Sequence, residues 1–347
     1  MLLQQLMIRC SRFAPAQFLR ESATLIGELL LSQANDGSAG ARKLRARVAA
    51  HGYVRCPEYY FCLARLRDAE SLESNVLCAA IEGVLDAPRV ASPYQEFQRW
   101  WRLAGRPSHR SLWCASAEGE EPVTTATQVS ECGVWVVSGP VRAWSGLTGW
   151  SLGDTAREGA VPAVVREALV ALGRFDAALL ADLSSVVSQI CVTPIPVPGR
   201  WSFSARLPYF GGIFLDVSKV PRAGVVEALL HEYLHQRLWQ WWAFEPLEGA
   251  CDETQELRSP VTGNLRSVPV LLQALAIYTE VRRWLAAAPG QRNEMHDPFE
   301  TSWQAQRLEL LDRALPVLAE RLHCVLPANS MAVEFVSACQ EYHAASL

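Results

Sequence analysis

The chain has 347 residues, a formal net charge of −4 at pH 7 and a hydrophobic content of 50%. This charge argues against a nucleic-acid-binding protein, which is normally basic, and no run of about 18 apolar residues marks a membrane span. The ten cysteines include no CxxC pair, which argues against a zinc ribbon or a thioredoxin-like site. We therefore expect a cytoplasmic protein that binds neither nucleic acid nor a membrane.

The first third of the chain has a helical pattern. Several segments of residues 1–118 carry apolar residues at helical spacing. Near residue 120 the composition changes, because 124–128 and 133–138 alternate and are rich in β-branched residues, as strands are. We predict a helical N-terminal region over 1–118, which either recognises a peptide or completes the core, and an α+β catalytic domain over 119–347.

The remaining elements alternate between helices and short strands. The apolar spacing predicts helices over 161–187, 267–284, 299–325 with a kink at Pro316, and 328–343. Strands are expected over 188–194, 201–206 and 211–217, and a long polar connector over 245–266. The fold class is therefore α+β and predominantly helical, with a small sheet packed beside the helix that follows residue 221.

That helix contains the only HExxH motif in the chain. His231 and His235 are four residues apart, so on a helix both project from one face. Two imidazoles at this spacing bind one metal ion, and Glu232 beside them is able to act on a metal-bound water or ligand. The surrounding helix is apolar, and buried histidines in such a helix need a partner. The motif therefore predicts a metal site.

The motif leaves the third metal ligand open. The pattern HExxHxxGxxH would need Gly at 238 and His at 241, and the chain has Leu238 and Trp241. Other candidates lie farther along the chain, and we rank them Glu280, Glu256 and His296, with Gln273 and Tyr278 also on the helix of Glu280. Glu280 and Gln273 are seven residues apart and share a helix face, but Glu280 could equally pair with Arg282 or Arg283.

Arg266 is a candidate for binding a carboxylate. It lies where the polar connector ends and the next helix begins. A guanidinium binds a carboxylate through two parallel hydrogen bonds, so Arg266 could hold the far end of a keto-acid cosubstrate. An ion pair with Glu253 or Glu256 is the equally simple alternative.

Taken together, these blocks resemble the HExxH-motif proteins of peptide natural-product maturation, which are iron(II)- and 2-oxoglutarate-dependent peptide β-hydroxylases. The resemblance covers roughly residues 186–285 and rests on the following blocks: the Pro-rich bend of 192–198, Gly-Gly-Ile-Phe-Leu at 211–215, Leu-Leu-His-Glu-Tyr-Leu-His-Gln at 229–236, Ser259-Pro260, Arg266, and Leu271-Leu272-Gln273. The chain departs from the family at Val261, where Trp is usual, at Leu265 and Ser267, where Pro is usual, and at Tyr278, where many members have His.

The resemblance implies hydroxylation of a side-chain β-carbon in a ribosomally made precursor peptide. His231, His235 and Glu280 would bind Fe(II), Arg266 and Gln273 would bind 2-oxoglutarate, and Glu232 would orient a ligand or water. The competing hypothesis is a zinc metallopeptidase in which Glu232 acts as the general base. A peptide-binding protein without catalytic activity is a third possibility.

Overall fold

A computed structural model describes Leu2, Leu6 and residues 125–129, 132, 134–138, 161–187, 189–192, 195, 199–204, 212–244, 254–287, 298–328 and 330–345. These residues form six α-helices and seven short strands. The prediction of a mostly helical protein with a small sheet is confirmed for this part of the chain. The helices predicted within 1–118, apart from Leu2 and Leu6, and the candidate ligand His296 lie outside the described residues.

The chain divides into two compact units. One unit contains Leu2, Leu6, residues 168–180 and the described residues from 221 onward, and the other contains the remaining described residues between 125 and 220. The small sheet and the HExxH helix belong to different units. Their predicted packing against each other, and the domain boundary at residue 118, stay predictions.

The sheet unit contains five strands in the order β1-β2-β3-β5-β4. The strands are β1 Thr125–Gln128, β2 Trp135–Ser138, β3 Gln189–Val192, β4 Ser202–Phe203 and β5 Gly212–Leu215. β2, β3 and β5 are parallel, whereas β1 and β4 pair antiparallel at the two edges. All four residues of β5 are buried, as expected for an apolar central strand. The predicted strands are confirmed, with β4 shorter than expected.

The single helix predicted over 161–187 is wrong in one respect. The structure has α1 at Val161–Phe175 and α2 at Ala177–Val186, with Asp176 between them. The Asp176 Oδ1 accepts a hydrogen bond of 3.0 Å from the Leu179 backbone N–H. A side-chain carboxylate that accepts this bond is a helix N-cap, so Asp176 begins a new helix where the apolar spacing alone predicts continuation.

The helical unit is built around one buried helix. It contains α3 Arg222–Phe244, α4 Val268–Ala286, α5 Pro298–Val325 and α6 Met331–Ala345. Helix α4 packs against α3, α5 and α6, and 15 of its 19 residues are buried. Because α4 is buried on most sides, its polar side chains need partners on the neighbouring helices. Helix α5 continues through Pro316, and α6 begins later than predicted, after Ser330, whose Oγ accepts from the Val333 backbone N–H.

Glu300 ties α5 to the start of α3. Its carboxylate accepts hydrogen bonds from the backbone N–H groups of Arg222, at 2.5 Å, and Ala223, at 2.9 Å. A buried carboxylate at this position satisfies free N–H groups and suits the positive end of the helix dipole. The beginning of the HExxH helix is therefore anchored from α5.

The predicted irregular connector contains a β-hairpin. Strands β6 Glu256–Arg258 and β7 Leu265–Ser267 pair antiparallel, with Leu257 opposite Arg266. The turn between them closes through a 2.8 Å hydrogen bond from Gly263 N–H to the Ser259 carbonyl, and Gly263 has a φ of 73°. Glycine adopts this left-handed conformation without strain. No helix in the described part of the chain is long and apolar enough to cross a membrane.

Candidate functional site

The two histidines of the motif meet on α3, as their spacing predicts. Their Nε2 atoms are 3.1 Å apart, and their rings are edge to face with centroids separated by 4.7 Å. Both residues are half-buried, and their neighbours Leu230 and Leu234 are buried. The two ring nitrogens therefore converge on one point at the side of the helix.

The separation of the two nitrogens fits a shared metal ion. Metal–nitrogen bonds of about 2.0–2.1 Å would place neighbouring octahedral ligands about 2.8–3.0 Å apart and tetrahedral ligands about 3.3–3.4 Å apart. The observed 3.1 Å lies between these values. The imidazole pair therefore suits a divalent ion of either geometry, and the separation alone does not distinguish iron from zinc.

Gln273 of α4 lies behind His235. Its Oε1 is 2.9 Å from the His235 Nδ1, so we assign the Nδ1 proton as the donor and leave the Nε2 lone pair for a metal. Hydrogen bonds of this kind orient metal-binding histidines. Gln273 is 4% exposed, and its Nε2 has no hydrogen-bond partner among the described residues. This contact supports a role in orienting His235. Direct cosubstrate binding by Gln273 stays a prediction.

Tyr278 of α4 faces His231. The two ring centroids are 5.4 Å apart. Burial holds the pKa of His231 well below its usual value, and the nearby His235 and Arg307 lower it further. The His231 imidazole is therefore neutral near pH 7, which is the form that binds metals. Tyr278 occupies the position at which many of the HExxH-motif peptide β-hydroxylases have His.

An ion pair lies next to this ring contact. Arg307 of α5 donates from Nε and Nη2 to the Glu227 carboxylate at distances of 2.6–3.0 Å. The Arg307 guanidinium carbon also lies 5.3 Å from the centroid of the Tyr278 ring. Burial raises the pKa of Tyr278, so this hydroxyl stays protonated. The sequence pattern did not single out Glu227 or Arg307, although a Glu one turn before His231 on an apolar helix was a visible signal.

The structure places Glu280 in a different cluster. Its carboxylate pairs with Arg283 at 2.5 Å and accepts from the Leu2 backbone N–H at 3.3 Å. Arg283 also pairs with Asp176 at 2.9 Å. Although Gln273 and Glu280 share a helix face, seven residues correspond to about 10 Å of helix. No group of three or more His, Cys, Asp or Glu that could hold a metal occurs among the described residues, so iron binding by Glu280 stays a prediction without support from these contacts.

The contacts described above do not include the other predicted site residues. Glu256 and Arg266 are exposed on the β6–β7 hairpin, and Glu253 lies outside the described residues. Glu232 is 5% exposed, and its charge contributes to the raised pKa of Tyr278. The Arg307 guanidinium lies near enough to His231 to lower its pKa, and a carboxylate-binding role for Arg266 stays a prediction.

Comparison with known proteins finds neither a protein-family model nor a curated protein that matches the chain. The resemblance to peptide β-hydroxylases therefore rests on the sequence blocks alone.

Proposed function

We propose that this chain is an iron(II)- and 2-oxoglutarate-dependent dioxygenase that hydroxylates a side-chain β-carbon in a ribosomally made precursor peptide. One observation carries the proposal. The Nε2 atoms of His231 and His235 converge to 3.1 Å, with Gln273 and Tyr278 of α4 against their rings. The HExxH block and the block of residues 271–273, which the resemblance treats as parts of one site, are thus neighbours in space.

The described residues fit a metal as a pair of imidazole ligands. With only two imidazoles from α3, several coordination positions would remain for a cosubstrate that binds through two oxygens. A facial set of protein ligands with open positions is typical of non-haem iron oxygenases. The peptide substrate and 2-oxoglutarate follow from the resemblance to the peptide β-hydroxylases.

Each residue of the site has a separate task in this proposal. His231 and His235 hold the metal, which would supply the oxygen chemistry when bound. Gln273 keeps the proton of His235 on Nδ1, so that Nε2 is available to the metal. Glu232 orients a ligand or water, and Arg266 takes the far carboxylate of 2-oxoglutarate.

A zinc metallopeptidase is the second candidate. Its supporting observation is Glu232, which follows His231 in the sequence and is buried. Glu232 could act as a general base on a metal-bound water. The imidazole separation suits zinc as well as iron. The two hypotheses differ in whether the protein binds a keto acid on its metal.

The deciding experiment is an anaerobic titration of the metal-free protein with Fe(II) and then 2-oxoglutarate. A keto acid chelated to Fe(II) gives a visible metal-to-ligand charge-transfer band, and we expect this band to appear. His231→Ala should abolish it and Arg266→Ala should weaken it.

The control is His323→Ala. His323 on α5 also contacts a glutamine, with its Nε2 3.0 Å from the Gln340 Oε1, but it has no partner imidazole in the described contacts. This variant should keep the full band. Tight zinc binding without any charge-transfer band would favour the metallopeptidase instead. If the protein bound neither iron nor zinc, the two histidines would have a structural role only.

A further inference from the structure

Glu227, one helical turn before His231, forms an ion pair with Arg307. Glu227 lies four residues before His231 on α3 and is 3% exposed. Its carboxylate accepts hydrogen bonds from Arg307, at 2.6 Å from Nη2 to Oε1 and at 3.0 Å from Nε to each of the two oxygens. This forked geometry fixes the guanidinium in one orientation. The proposed reaction itself uses neither charge.

Arg307 also contacts the Tyr278 ring, which lies beside His231. Its guanidinium carbon lies 5.3 Å from the centroid of the Tyr278 ring, a distance at which a cation attracts the face of an aromatic ring. That ring lies 5.4 Å from the His231 ring. The contacts therefore begin at Glu227 on α3, pass through α5 and α4, and return to α3 at His231.

The two imidazoles are held in different ways. His235 is oriented by a hydrogen bond between its Nδ1 and Gln273, whereas His231 lies against an aromatic ring that is itself in contact with the Arg307 guanidinium. A buried ion pair seldom adds stability over apolar residues of similar size, because desolvation of both charges offsets their attraction. Stability alone therefore does not explain this Glu–Arg pair, whereas control of orientation does.

We propose that Glu227 and Arg307 are positioning residues that hold the Tyr278 ring against His231 and thereby orient its Nε2 for metal binding. This inference rests on the metal site of the proposed function. It adds three residues, of which only Tyr278 stood out in the sequence, and it assigns them no direct bond to the metal.

The test uses cobalt(II) alone as the probe, because its visible spectrum reports coordination geometry. Two variants of the full chain are compared with the unmodified protein. The double variant Glu227→Gln with Arg307→Met removes both charges while nearly keeping their volume, and Tyr278→Leu removes the ring while leaving the ion pair. Residues that orient a metal ligand typically change metal affinity by about 10- to 100-fold. We expect weaker cobalt binding in this range for both variants, and an altered cobalt spectrum for both.

A second ion pair that also involves α5 serves as the control. The Arg282 Nε on α4 and the Asp312 Oδ1 on α5 are 2.8 Å apart. The double variant Arg282→Met with Asp312→Asn should leave the cobalt affinity and spectrum unchanged. Circular dichroism and a urea unfolding curve for each variant separate loss of fold from loss of orientation.

Wild-type cobalt affinity and spectrum in both test variants would overturn the inference while leaving the metal site intact. Failure of the unmodified protein to bind cobalt, iron or zinc would overturn the proposed function and this inference together. If the charge-free double variant does not fold, Tyr278→Leu decides, because it removes the ring contact with His231 and keeps both charges.

Discussion

Helix α4 carries two buried polar clusters that use similar residues for different purposes. Gln273 in its first half and Tyr278 near its middle contact the imidazole pair of α3, and a Glu–Arg pair lies beside them. Glu280, two residues after Tyr278, pairs with Arg283, which also binds Asp176. We call these the imidazole cluster and the carboxylate cluster. Only the first brings imidazole nitrogens together, so burial of a carboxylate on the helix next to an HExxH motif does not by itself indicate a metal ligand.

Removal of a donor group from each cluster should give the largest difference in metal affinity between them. His235→Ala removes one of two converging nitrogens, so we expect metal affinity to fall by more than the roughly 100-fold that marks the upper range for residues behind a ligand. Glu280→Gln should leave metal affinity unchanged. Competition with a chromophoric chelator measures both. A large loss of affinity in Glu280→Gln would instead establish Glu280, the first-ranked candidate from the sequence, as a ligand.

Gln273→Leu tests the orientation of His235 within the imidazole cluster. The substitution removes the acceptor for the His235 Nδ1 proton, so the histidine loses its fixed tautomer and ring orientation. We expect metal affinity to fall by about 10- to 100-fold. Isothermal titration with Zn(II) measures the change. The exposed Gln340, which contacts His323 in the same way, provides the matched control Gln340→Leu, for which no change in affinity is expected.

Glu280→Gln should affect stability through the carboxylate cluster. Removing a buried charge leaves the Arg283 guanidinium with Asp176 as its remaining anionic partner. Because that partner remains, we expect a loss of about 1–2 kcal/mol in the free energy of unfolding, less than the roughly 3–5 kcal/mol typical of a fully broken buried pair. Urea unfolding measures it. Glu309→Gln, which breaks an exposed pair with Arg313 at 3.7 Å, should change stability by less than about 0.5 kcal/mol.

The two clusters should respond to acid in different pH ranges. The pKa of His231 is lowered in the folded protein, so below its unfolded value of about 6.5 the unfolded chain binds more protons and stability falls as pH falls. One such group contributes at most about 1.4 kcal/mol per pH unit. In the metal-free protein, His231→Gln should therefore reduce the slope of unfolding free energy against pH just below 6.5.

Asp176 supplies the contrast at lower pH. Burial alone would raise its pKa, but hydrogen bonds from Arg283 and the Leu179 N–H outweigh burial and lower the pKa. Its contribution is therefore complete above its unfolded pKa near 3.8 and is lost as pH falls through the lower folded value. Asp176→Asn should leave the slope near pH 6 unchanged and reduce it below about pH 4. Equal slopes for both variants throughout would contradict the separation of the clusters.

Local patterns predicted most of the described elements. β-branched, alternating or apolar runs mark β1, β2, β3 and β5, and apolar spacing marks α3, α4 and α5, because these signals depend on neighbouring residues. The hairpin of β6 and β7 was missed because its strands have three residues each and are largely exposed, so no apolar run identifies them. The break at Asp176 depends on a single capping hydrogen bond, which apolar spacing does not reveal.

The helical period is enough to predict that His231 and His235 project from one face of one helix, because it relates residues four apart. Which distant residues reach them depends on how the helices pack. Gln273 is 38 positions from His235, and Arg307 is 80 positions from Glu227. The spacing of Gln273 and Glu280 predicts a shared helix face, but packing of α4 brings Gln273 to an imidazole and leaves Glu280 with Arg283. A helix repeats its faces along its length, whereas each turn of a buried helix meets different neighbours, and those neighbours decide what each side chain does.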